Sequence, residues 1–160
     1  MRGRTLKERQ ITRNQLLPEN PKVYRGFGVV RLITLAFLLI VVVRSAIHLF
    51  APDGGAESIA GVDLSVSGGN NIIALFHQWG AIQLLLVGLL IILFFAYKGF
   101  TPLIILFLAL DWPMRAVAGM MMAIESTHTP PGKALTLPAF FVLAILFIFS
   151  LLQKNSKPKV

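Results

Sequence analysis

Six polar side chains lie within stretches that are otherwise apolar: Arg44, His48, His77, Gln83, Asp111 and Arg115. Arg44 and His48 stand four residues apart, the spacing that puts two side chains on one helix face. Asp111 and Arg115 repeat that spacing further along the chain. With both histidines neutral, two arginines and one aspartate leave this set at +1. Asp111 can pair with either arginine, so one guanidinium is left over. Its planar fork of donors suits an anionic or carbonyl-bearing group. The expected chemistry is therefore recognition of a lipid-like or quinone-like head: a phospholipid headgroup, a fatty-acid carboxylate or a quinone oxygen. The competing reading is a structural network. In it Asp111 and Arg115 neutralise each other, Arg44 reaches toward the interface along its stem, and the histidines are interfacial.

Other chemistries find less footing. The chain has no cysteine, which excludes disulfides and Cys-ligated metals or clusters. Glu125 and His128 could approach His77 or His48, but no spacing resembles a ligand motif such as H-x3-H, so no metal is expected. The glycine pairs Gly54-Gly55 and Gly68-Gly69 lack the strand-to-helix setting of a phosphate cradle. No Ser-His-Asp constellation is present, and no residue is assigned a catalytic role. An enzyme or proton-coupled transporter would have to use Asp111 and His77. No cofactor is expected beyond a bound quinone or lipid.

The elements that carry these residues follow from composition. Of 160 residues, 56% are hydrophobic and only 14% charged, against roughly 25% charged in soluble domains. Mean hydropathy is +0.75. Disorder and a water-soluble globule are both excluded. The net charge of +8 is concentrated at the ends of apolar runs, which argues against a nucleic-acid partner. Four stretches, 27–50, 72–97, 101–124 and 134–152, approach the roughly 20 apolar residues needed to cross a bilayer as helix. The expected fold is all-α, an integral membrane bundle of four transmembrane helices, preceded by a basic tail (1–26) and followed by another (154–160).

Basic residues set the direction. The two tails and Lys98 together hold eleven Lys or Arg, whereas the opposite side holds Lys133 alone. Both termini are expected in the cytoplasm (N-in/C-in), in a cell inner (plasma) membrane. The polar cluster then falls in the outer half of the bilayer, where a charge costs at least about 2.5–3.5 kcal/mol. Arg31, one turn inside the cytoplasmic end, is expected to reach that interface. The Gly-rich connection 51–71 should either fold over the outer mouth or stay mobile. Pro113, between Asp111 and Arg115, is expected to kink the third helix by removing the bond to the Ala109 carbonyl. Ala116, Ala118, Gly119 and Met120–Met122 offer a soft packing or pocket wall. Membrane lipids are the expected partners. An accessory or scaffold role, with a membrane-protein partner or a second copy of the chain, is the alternative.

The run Asp111-Trp-Pro-Met-Arg115 with Gly119, then Thr129-Pro-Pro-Gly132, and His77-Gln-Trp-Gly80 at the second helix resemble small bacterial membrane proteins of the DoxX-like kind. The similarity covers roughly residues 27–152. It implies a four-helix bundle of about this length in a bacterial inner membrane and no settled activity. Some DoxX relatives are linked to quinone-coupled sulfur oxidation, but no residue here transfers that role.

Overall fold

In the computed structural model, residues 16–153 are described. The basic positions 2–13 and the tail 154–160 lie outside them. Five helices follow in order: α1 Gly28–Phe50, α2 Gly69–Ala96, α3 Thr101–Met121, the single turn α4 Pro131–Ala134, and α5 Thr136–Leu151. There is no strand among the described residues. Three helical segments, Gly28–Phe50, Gly69–Ala96 and Lys98–Met121, are long and apolar enough to cross a membrane by length and composition.

The fourth apolar stretch is shorter than its sequence suggests. α5 has 16 residues, about 24 Å at the helical rise. Prolines explain the break. Pro130 and Pro131 start α4, and Leu135 closes it with its N–H on the Pro131 carbonyl (3.0 Å). Pro138 has no N–H to give, so it is tolerated where a new helix begins. Thr136 Oγ1 donates to the Gly132 carbonyl (2.9 Å) and ties the two pieces together. α3 stops at Met121, three residues before the expected end, because the chain is drawn off as extended backbone from Met122. The Thr127 N–H then donates to the Gly61 carbonyl (2.8 Å).

α1 packs along α2, and α3 packs along α5; the two pairs meet each other over shorter lengths. The α1–α2 contact is closest at Gly80, where a Cβ would stand 2.6 Å from the Leu49 nitrogen and 2.7 Å from the His48 carbonyl carbon. Only glycine lets the helices approach so closely. Leu38, Val87, Phe94, Ile105, Leu143 and Leu146 form the shared core. Large apolar side chains such as Leu32, Leu85, Ile92 and Ile148 remain on the outside, as a helix facing lipid requires.

The two ends of the bundle are built differently. At the end where α1 starts and α5 finishes, Arg31 donates to Thr101 Oγ1 and to the Phe94 carbonyl, both at 2.8 Å, and lies 4.0 Å over the Phe94 ring. Arg31 therefore joins α1, α2 and α3 near the helix ends. The Tyr24 hydroxyl donates to the Ser150 carbonyl (3.2 Å), and burial pushes this phenol up to about 12. At the other end, the 51–68 connection folds over the bundle. The Asp53 carboxylate accepts from the Ser58 (2.7 Å), Gly55 (2.8 Å) and Glu57 (3.1 Å) N–H groups. Ala56, Ala60 and Val62 pack with Ile72 and Phe76 in a small second core.

Candidate ligand-binding site

Between the two helix pairs lies a cavity of about 1150 Å³. Toward the 51–68 connection it is lined by Arg44, Gln83, Asp111 and Arg115, one or two from each of three helices. Away from it the walls are apolar: Phe37, Val41, Leu90, Phe107 and Leu143. Ile59 and Ala60 of the connection line the loop end, so the connection that could have stayed mobile instead forms part of the cavity wall.

The spacing of the sequence explains the cluster. Arg44 and His48 are one turn apart on α1, Trp79 and Gln83 on α2, and Asp111 and Arg115 on α3, so each helix turns a pair inward. Arg44 Nη2 donates to Gln83 Oε1 (3.1 Å). The same nitrogen is 3.6 Å from Asp111 Oδ2, and Arg115 Nη1 is 3.8 Å from that oxygen. Both distances exceed hydrogen-bond reach. Arg44 Nε and Arg115 Nη1 are buried and have no hydrogen-bond partner. A buried donor left this way costs about 1–3 kcal/mol, and more on a charged group.

Aromatic faces hold the arginines instead. The Arg115 guanidinium lies 5.0 Å from the Trp79 ring centre and 5.8 Å from that of Trp112. Arg44 is 5.9 Å from Trp79. These are cation–π distances. The His48 ring is stacked at 4.5 Å on Trp79, and its Nδ1 is 2.7 Å from the Gly54 carbonyl. His48 thus joins the cluster to the connection above it.

Five of the six residues expected at the site line this cavity: Arg44, His48, Gln83, Asp111 and Arg115. His77 is not among its lining residues. His77 Nδ1 lies 3.1 and 2.9 Å from the His48 and Leu49 carbonyls, groups that the end of α1 leaves without helical partners. Pro113 lies inside α3, which continues past it to Met121. His128 is engaged by the connection, with Nε2 3.2 Å from the Ile59 carbonyl. Trp79 and Trp112 carry no assigned role in the sequence reading. The signal for them was present: Trp79 sits one turn from Gln83, and Trp112 stands next to Asp111.

Chemically the arrangement is a cationic head site on an apolar shaft. Two guanidiniums stand against one carboxylate beside a space large enough for a ligand. No protein-family model, no curated protein and no solved structure matches the chain.

Proposed function

We propose that this is an integral membrane protein that holds a lipid-like molecule in a bundle of four spans, with both termini in the cytoplasm. The head of the ligand sits among Arg44, Gln83, Asp111 and Arg115, in the outer half of the bilayer. Its apolar part lies along Phe37, Leu90 and Phe107. The observation that carries this reading is the uncompensated positive charge of Arg44, Asp111 and Arg115 at the head of an apolar cavity. A network serving structure alone would give each guanidinium a carboxylate of its own. The residues behind the DoxX-like resemblance also support it, since Trp79, Asp111, Trp112, Arg115, Gly119 and Gly132 line the same cavity.

Native mass spectrometry after gentle detergent extraction tests it. A stoichiometric small-molecule adduct, lost in Arg115→Ala while the protein stays folded, is expected. A bare wild-type protein would overturn the reading. A second reading, an accessory subunit, draws on one observation: Met114, Val117 and Met120 leave the later half of α3 exposed. It predicts a co-purified protein whose binding survives loss of the cluster.

A further inference from the structure

The cavity's charge narrows what its occupant can be. This inference rests on the ligand-binding reading above and sharpens it. Arg44 and Arg115 lie on either side of Asp111 and approach the same oxygen, Oδ2, from two helices. The trio therefore carries one positive charge more than it neutralises. Arg44 Nε and Arg115 Nη1 remain without acceptors. A neutral carbonyl could fill one of those donors and would leave the charge uncompensated in a low-dielectric site. A head with one negative charge brings the cluster to neutrality and gives the two guanidiniums a second anionic acceptor. Trp79 lies within 5.9 Å of both guanidiniums and gives such a head an aromatic wall.

The rest of the ligand must be apolar and must reach the cavity through its side. From Arg44 down to Phe37 the apolar wall spans about 10 Å of helix rise. Ile40 and Val43 of α1, and Leu137 and Val142 of α5, line the cavity and yet are 48–65% exposed. The wall is therefore open between the later half of α1 and the first half of α5, and Leu86 of α2 and Phe107 of α3, 48% and 49% exposed, flank a second opening. The flanks of both openings are apolar, so a hydrocarbon chain can pass from lipid into the shaft without desolvating polar groups. We propose that the site binds a monoanionic amphiphile, a carboxylate or phosphodiester head on a hydrocarbon chain. The head lies against Arg44 and Arg115, and the chain enters sideways between the helices.

The protein carries its own probe. Its only two tryptophans, Trp79 and Trp112, both line the cavity beside Arg115. Intrinsic fluorescence of the full chain in neutral detergent is titrated with oleate, with phosphatidylglycerol and with oleyl alcohol. The expected result is a saturable change with oleate or phosphatidylglycerol and at least about tenfold weaker binding of the alcohol, about 1.4 kcal/mol. Whichever anion acts identifies the head as carboxylate or phosphodiester. Equal response to the alcohol would overturn the charge assignment and leave the lipid-like ligand standing. No response to any of the three would overturn both. Asp111→Asn removes the carboxylate that competes for the arginines and is expected to tighten oleate severalfold. Weaker oleate binding by folded Asp111→Asn protein counts against the proposal. The wild-type titrations decide the matter even if that variant does not fold.

Discussion

Arg31 and Arg44 stand on the same helix and in the same apolar setting, with opposite surroundings. Arg31 makes two hydrogen bonds of 2.8 Å and stacks at 4.0 Å on Phe94. Arg44 makes one bond to Gln83, stands 3.6 Å from its counter-charge and leaves Nε unpartnered. Arg115 resembles Arg44 in this respect. The difference separates two uses of a charge in a membrane. One arginine is spent on backbone and hydroxyl groups of its own chain, where it joins three helices. The others lie against tryptophan faces and share a single carboxylate between them. An arginine inside an apolar helix is thus not by itself a sign of a site.

Four expectations test that contrast, from the largest effect to the smallest. Arg31→Ala leaves the Phe94 carbonyl without its donor and should lower stability by about 2–4 kcal/mol. Thermal unfolding in detergent reads this, and a loss under about 0.5 kcal/mol would remove the structural half of the comparison. Gly61→Ala forces a side chain onto φ +67°, with its Cβ 2.6 Å from His128 Nδ1. It should cost about 1–3 kcal/mol and speed hydrogen exchange in the 51–68 connection, while the Arg31 end stays protected. Arg115→Gln removes the excess buried charge and leaves Asp111 paired with Arg44, so the loss and the gain offset and stability should change by under about 1 kcal/mol, while oleate binding is lost.

Asp53 gives the smallest effect. The Ser58 N–H foremost, with that of Gly55, holds its carboxylate down at about 2 against the usual 3.8. A folded value below the unfolded one stabilises the connection fully above the ordinary carboxylate range. That contribution is lost as pH falls through about 2. The protection factor of the Ser58 amide, its intrinsic over its observed exchange rate at each pH, should therefore be steady down to about pH 4 and fall below it. Asp53→Asn should abolish this acid dependence.

Much of the frame is legible in the residues. The apolar runs give α1 almost to the residue, and the one-turn pairs Arg44/His48 and Asp111/Arg115 do point into one space. What escapes is whatever depends on distant backbone. α3 ends early because Thr127 is drawn to the Gly61 carbonyl, a partner that periodicity cannot reveal. His77 belongs with the cluster by depth, but the free carbonyls at the end of α1 claim it. The partners of Arg31, Thr101 and the Phe94 carbonyl, likewise come from other helices. The connection 51–68 reads as loop because its core is three small residues, Ala56, Ala60 and Val62, which carry no periodic signal.

The most direct test of the central claim is the shift in melting temperature that oleate produces in wild-type and Arg115→Gln protein, measured side by side with Arg31→Ala. The account predicts that wild type and Arg31→Ala are both raised by oleate, although Arg31→Ala starts far lower. Arg115→Gln should melt close to wild type and gain nothing from oleate. Equal gains in all three proteins, or an Arg115→Gln melt as low as that of Arg31→Ala, would contradict it: the cluster would then be structure, and the cavity would have no use for its charge.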